Sequence, residues 1–201
     1  MAIKFQYNKT SMQDLNKQLK VRVRALPTIK NKESALRMEV KKAKDTAETL
    51  DETLDAKIKE YEHMVNLWAE FNPDLIIIED VSLSVKKIAG VKTPVLDDIK
   101  YSVREFSLFN QPVWFLDGIA ILKDLSKIAI EREVFHRKME LLDYARRKTT
   151  QKVNLYEKVQ IPGFENAIRK IKRFLEDEEN LSKSAQKIVK NKQAKQEEER
   201  S

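Results

Sequence analysis

The chain has 201 residues, 35% of them charged and 41% hydrophobic, with a formal net charge of +7. Three glycines and five prolines supply too little turn chemistry for a many-stranded sandwich or barrel, so long helices are favoured. Zero cysteines exclude disulfides, thiol nucleophiles and thiolate metal sites, and the longest nearly apolar stretch, Val113 to Leu122 with Asp117 inside it, is half the ~20 residues that cross a bilayer.

The opening Met1-Ala2-Ile3-Lys4-Phe5-Gln6 has no sustained apolar run of the kind a secretion signal needs, so a cytoplasmic product without direct membrane insertion is expected. From Leu15 onward apolar residues recur at alternating steps of four and three, through Leu36, Val40, Ala43, Ala47, Leu50 and Leu54. That is a heptad seam. A four-residue step to Ile58, then Tyr61, Val65 and Trp68, reads as a stutter. The spacing predicts a first long helix over residues 10–72, ending near Phe71 before Pro73, with a kink or break near Leu26 imposed by Pro27.

Residues 73–112 form the expected β region. Leu75 to Ile78 and Val81 to Ile88 are rich in β-branched residues, and Val81, Leu83 and Val85 alternate with Ser82, Ser84 and Lys86. Ala89 to Pro94 supplies turn residues, and a second extended segment lies between Val95 and Leu108, so a β-hairpin is predicted. A second long helix is expected over 113–188. Its stripe includes Leu125, Ile128, Phe135, Leu142, Val153, Tyr156, Phe164, Ile168, Ile171, Leu175, Leu181 and Ile188, with a bend at Ile161-Pro162-Gly163. A polar, frayed or disordered tail is expected over 189–201.

Neither helix buries its stripe alone, and an antiparallel pair folded back at the hairpin is the simplest closure. The fold class is therefore mainly α, a long antiparallel two-helix coiled coil with a β-hairpin region between its helices. With the helices folded back at the hairpin, Leu36 is expected near Val159 to Phe164. Charge follows this layout. Lys and Arg outnumber Asp and Glu by 12 to 3 over residues 4–44 and by 9 to 2 over 144–173, but are outnumbered 8 to 2 over 45–72. Folding back gathers both basic blocks at one tip, where mutual repulsion implies an external environment.

Chemistry is sparse. Gly90, Gly118 and Gly163 stand alone, so no phosphate-cradling loop exists. His63 and His136 have no His partner at four-residue spacing and read as solvated, and Asp97, Asp98 and Glu176 to Glu179 lie in polar runs that read as solvated surface. Catalytic, cofactor-binding and metal residues are expected to be absent. The strongest candidates for a partner interface are Lys20, Arg22, Arg24, Lys30 and Lys32 with Arg169, Lys170, Lys172 and Arg173. Arg146, Arg147 and Lys148 make a further basic cluster, and a charged helix exterior explains any of them equally well. Stacking aromatics among the basic residues and a groove-reading module, which nucleic acid binding normally adds, are both missing. Trp114, Phe115 and Leu116, with Phe106, Leu108 and Phe109, form an aromatic cluster that is core or, where exposed, a partner patch; Trp114 joins the candidates.

Three segments resemble the D subunit of the V-type and archaeal-type rotary ATPases. They are Leu15-Asn16-Lys17-Gln18-Leu19-Lys20 continuing to Lys30-Asn31-Lys32-Glu33-Ser34-Ala35-Leu36, then Ile88-Ala89-Gly90-Val91-Lys92-Thr93-Pro94, and Val153 to Pro162 followed by Ile168-Arg169-Lys170-Ile171 and Arg173-Phe174-Leu175-Glu176. The last is the most specific, and the resemblance covers about residues 10–182. It implies a non-catalytic central-stalk rotor, peripheral to the membrane, whose helical pair is the shaft. That shaft enters a ring of catalytic and non-catalytic subunits (A and B), while the hairpin end meets the small rotor F subunit and a membrane-side adaptor (C/d). Gly90, Val91 and Pro94 therefore become interface candidates. An asymmetric axle of this kind biases each catalytic site toward open or closed states, coupling nucleotide affinity to rotor angle. The competing readings are a prefoldin-like coiled-coil chaperone and a basic coiled-coil nucleic-acid-binding protein.

Overall fold

Asn8 caps the first helix, its side-chain oxygen accepting from the Ser11 amide at 2.7 Å. The structure, a computed structural model, describes residues 3–106 and 112–198. Helix α1 spans Lys9–Glu60 and carries Pro27 inside it, so near Leu26, where a kink or a break was expected, the helix is not broken. Pro27 and Val23 are both exposed. The carbonyl that loses its amide donor at Val23 therefore lies on a solvent-facing side of the helix, where an unmade bond costs less than in the seam.

The helix ends earlier than its periodicity implied. The Tyr61 amide is shared between the Lys57 and Ile58 carbonyls at 3.3 and 3.2 Å, the backbone tightens into a 3₁₀ turn at Glu62–Met64, and a single turn, α2, follows at Val65–Trp68. His63 Nδ1 lies 2.7 Å from the Glu60 carbonyl oxygen, one of those the ended helix leaves without an amide. The seam itself contains no stutter. Lys57, Tyr61, Met64 and Trp68 are partly buried, whereas Ile58 and Val65 are 52% and 59% exposed. The three-four rhythm continues through a lysine whose ammonium pairs with Asp124.

Strands β1 (Ile76–Ile88) and β2 (Val91–Val103) form one antiparallel two-stranded sheet. Ala89 and Gly90 have φ of 48° and 82°, the paired positive values of a two-residue hairpin turn. The turn is tighter than the predicted six-residue segment, because Val91 to Pro94 already belong to β2 and pair with Val85 to Ile88. Register shifts between Ile78 and Asp80 and between Ser82 and Leu83 mark bulges.

The second helical run begins with α3 (Phe115–Asn154), widens to a π-helical segment at Leu155–Gln160 and continues as α4 (Ile161–Glu198). The π segment falls where Pro162 removes an amide and its ring crowds the turn before it. Widening the ladder at that point lets the chain stay helical. Helix runs on to Glu198, beyond residue 188 where a tail was expected to begin. Its Leu181 and Ile188, expected on the buried stripe, are 72% and 57% exposed.

Two compact units result, one taking the residues up to Asn31 with those from Thr150 onward, the other running Lys32–Thr149. In the first, Leu15, Phe164, Ala167 and Ile171 form the buried cluster, with Ile3, Phe5, Met12, Leu19, Ile168 and Leu175 packed around it. The second holds two clusters. Leu36, Ala43 and Leu142 are buried together, joined by Val40, Met139 and Ala145 and by the hairpin residues Ile88, Ala89 and Val91. Phe71, Leu75, Phe115 and Ile119 make the other, with Trp68, Ile76, Phe106, Trp114 and Leu122 around them. Leu36 thus meets Leu142, not the expected Val159 to Phe164, because the antiparallel alignment in which Lys57 faces Asp124 brings positions near 142 to it.

Candidate interaction surfaces

The unit that joins the chain's two ends contains most of the basic candidates. α1 contributes Lys20, Arg22, Arg24 and Lys30; α4 contributes Arg169, Lys170, Lys172 and Arg173. All are exposed except Arg22, which is half-buried. Its guanidinium donates to Gln160 Oε1 at 2.6 Å and to the Gln18 carbonyl at 3.1 Å, and lies 4.6 Å from the centre of the Phe164 ring. Three of its surfaces are therefore occupied within the protein. Arg22 ties α1 to α4 and is a fixed part of the helix pair rather than a mobile surface charge.

Lys30 donates to Glu157 Oε1 at 2.7 Å, and Lys172 lies 3.6 Å from Glu176 one turn along the same helix. Both pairs are open to solvent and hold little energy, about 0–1 kcal/mol each. Lys20, Arg24, Arg169, Lys170 and Arg173 present their charge outward. On the same unit the N-terminal segment lies against α4, with Tyr7 packed on Phe174 at 4.9 Å between ring centres and Phe5 on Tyr7 at 5.4 Å. Phe174 is partly exposed, and Tyr7 packs against it.

The other candidates belong to the second unit. Lys32 is exposed at the hairpin turn, where its Nζ stands 3.5 Å from the place a side chain at Gly90 would occupy. Val91 is half-buried against the Leu36 cluster, so it anchors the hairpin. Pro94 sits opposite Val85, with Leu83 opposite Leu96 two positions on. These four share one face of the ribbon, where Leu83 and Val85 stand exposed while Thr93, on the opposite face, is buried and donates to the Lys86 carbonyl at 2.9 Å.

Trp114 is half-buried at the centre of an aromatic cluster, 5.4 Å from Trp68, 5.6 Å from Phe71 and 5.0 Å from Phe115 between ring centres. Phe115 is core, Leu116 is exposed, and Leu108 and Phe109 lie outside the described residues. Trp68 and Leu122 line an open apolar groove together with Ile76, Ile78 and Tyr101, the Tyr101 hydroxyl donating to the Lys123 carbonyl at 3.1 Å.

Arg146 and Arg147 are not a free basic cluster. Both donate to Asp143, at 2.8 and 2.7 Å. Burial pushes the Asp143 carboxyl up, but the two guanidinium hydrogen bonds together outweigh it and hold the group below the usual carboxylate range. His136 is likewise partnered, Nε2 lying 3.2 Å from Asp51 Oδ2. The Asp143–Arg146–Arg147 spacing of three and four is a helical ion-pair signal in the sequence, whereas Asp51 and His136, 85 residues apart, leave none. No helix among the described residues is long and apolar enough to cross a membrane.

A family model for the ATP synthase D subunit matches residues 11–191. The chain is 34% identical over 188 residues to a V-type ATP synthase D subunit of Borreliella burgdorferi, covering 90% of this chain and 93% of that protein. Proteins with the same name from Chlamydia muridarum and Chlamydia pneumoniae are 29% and 28% identical, over 83% and 88% of this chain and 85% and 87% of theirs. With that match across nearly the whole chain, and the two long helices and hairpin it accompanies, the protein belongs to the ATP synthase D subunit family.

Proposed function

We propose that the protein is the central-stalk rotor, the D subunit, of a V/A-type ATPase or ATP synthase, transmitting torque between the catalytic ring and the membrane-embedded ion-translocating rotor. The observation that carries this is the family match over residues 11–191, joined to antiparallel helix pairing held by Arg22–Gln160 in one unit and by Lys57–Asp124 in the other. A rod that turns inside a ring needs paired helices for torsional stiffness and an exterior with few fixed apolar contacts. The outward charge of Lys20, Arg24, Arg169, Lys170 and Arg173 suits such a bearing.

In this reading the chain is non-catalytic. It supplies the angle-dependent face against which the A and B ring proteins open and close, and ATP chemistry stays in the ring. The open apolar groove at Trp68, Leu122 and Ile76 and the exposed ribbon face at Leu83 and Val85 suit the small F subunit and the membrane-side adaptor. The protein then works peripherally, on the cytoplasmic side. A prefoldin-like chaperone or a nucleic-acid binder is not favoured beside the family match. The test is purification of the tagged chain from gently solubilised membranes: the expected result is recovery of the ring proteins, the small F subunit and the adaptor in fixed ratio, and recovery without any other ATPase component would overturn the proposal.

A further inference from the structure

We propose that Asp51, Arg132 and His136 form a register pin that fixes the axial alignment of α1 against α3. The apolar seam in this region is weakly specific. Two of its buried contacts on α1 are Ala43 and Ala47, whose side chains are too short to interlock with the facing helix. Small knobs let two helices bury similar area in more than one alignment.

Asp51 supplies what the alanines do not. One turn beyond Ala47, its two carboxylate oxygens are divided between neighbours on α3: Oδ1 lies 3.5 Å from Arg132 Nη1 and Oδ2 lies 3.2 Å from His136 Nε2. Arg132 and His136 are four residues apart, one helical turn, so a single carboxylate meets both side chains in one alignment. Shifting α3 by one heptad presents Met139 and Asp143 to Asp51 in one direction, or Leu125 and Ala129 in the other. The first sets Asp51 against a thioether and a carboxylate already paired with Arg146 and Arg147, and the second leaves it against apolar side chains, so neither alignment restores the two contacts. The Arg132 side chain is further constrained because its Nε is enclosed without a hydrogen-bond partner among the described residues, so the guanidinium has little freedom to follow a displaced Asp51. A half-exposed ion pair adds little stability, but a polar contact at one layer of a coiled coil specifies register. The consequence for torque, a helix pair that does not slip under load, rests on the rotor reading; the register itself does not.

Spin labels on cysteines introduced at the exposed Lys41 and Glu133 of the full chain report the alignment as a distance distribution. The unmodified pin should give one narrow distance. Asp51→Leu and the double variant Arg132→Gln/His136→Gln should each add a second population displaced by about 10 Å, seven residues at 1.5 Å rise, with helical circular dichroism retained. Asp51→Leu adds apolar surface to the seam, so its thermal midpoint should hold or rise while its register becomes heterogeneous, which a merely stabilising contact would not produce. Arg137→Gln, which breaks a pair with Glu140 within α3, should keep the single distance. One unchanged distance in both pin variants, or equal broadening in Arg137→Gln, would overturn the proposal.

Discussion

Leu36 and Leu142 are each 0% exposed and share one buried cluster, on which the hairpin residues Ile88, Ala89 and Val91 rest. The contact therefore joins α1, α3 and the tip of the hairpin. Leu142→Ala should cost ~2–5 kcal/mol, the range for deleting a buried leucine whose surroundings relax only partly. Denaturant unfolding measures this, and amide exchange in β2 should rise as the turn loses its support. A loss under ~1 kcal/mol with unchanged exchange in β2 would contradict this packing.

Gly118 is a position where alanine, normally the better helix former, should destabilise. A Cβ there would stand 3.0 Å from Trp114 Cζ3 and 3.1 Å from Phe71 Cε2, both held in the aromatic cluster. Overpacking of that kind costs about 1–3 kcal/mol, against a helix-propensity gain of ~1 kcal/mol. Gly118→Ala should lower the thermal midpoint and shift the tryptophan fluorescence. A raised midpoint would mean that the rings move aside freely.

Acid should weaken the structure around Asp143 in a specific direction. The carboxyl is held below its ordinary value of 3.8 by Arg146 and Arg147, whose hydrogen bonds together exceed the opposing effect of burial. A depressed folded value means stabilisation that is complete above the unfolded value and disappears as pH falls through the folded one. Asp143→Asn should be less stable than the parent by about 0.5–1 kcal/mol near neutrality, in the range of paired surface charges. The two proteins should converge in strong acid. A gap that stays constant down to that limit would assign Asp143 a role independent of its charge.

The parts of the fold legible in the sequence are those where burial and apolarity coincide. From Leu36 to Leu54 the seam residues are both apolar and inward, so the heptad reads directly. Beyond Leu54 the two separate: Lys57 takes the seam with its charge paired to Asp124, while Ile58 and Val65 face out, and pattern reading follows the wrong residues. The prolines mislead in another way. Their local cost is real, but Pro27 places its lost bond on a wet face and Pro162 follows a π segment that absorbs it. Among the candidate surfaces, exposure of Lys20 or Arg173 is what composition suggests, whereas Arg22 on Phe164 and Asp51 between Arg132 and His136 depend on which turns of two distant helices meet. That alignment is a property of the whole pair and leaves no mark on either segment alone.

Reversing Arg169, Lys170, Lys172 and Arg173 to Glu tests the outward basic face. The buried Ala167 and Ile171 are untouched, and surface charge changes usually stay within about ±0.5 kcal/mol, so circular dichroism should show a folded chain. Under the proposed function those side chains face the ring of the ATPase head. Assembly should weaken, or the ratio of ATP-driven ion pumping to ATP hydrolysis should fall in the reconstituted complex. Normal assembly with an unchanged ratio would reduce this face to a solvated helix exterior.

The most direct measurement is rotation itself. The chain has no cysteine, so Glu79→Cys, at an exposed position in β1, gives this chain one attachment point, and a probe placed there before assembly reports its motion in a complex whose ring is fixed to a surface. Addition of Mg-ATP should drive the probe in one direction, at a rate that follows the hydrolysis rate and stops when hydrolysis is inhibited. A probe that stays fixed relative to the ring while the same complexes hydrolyse ATP would contradict a rotor role.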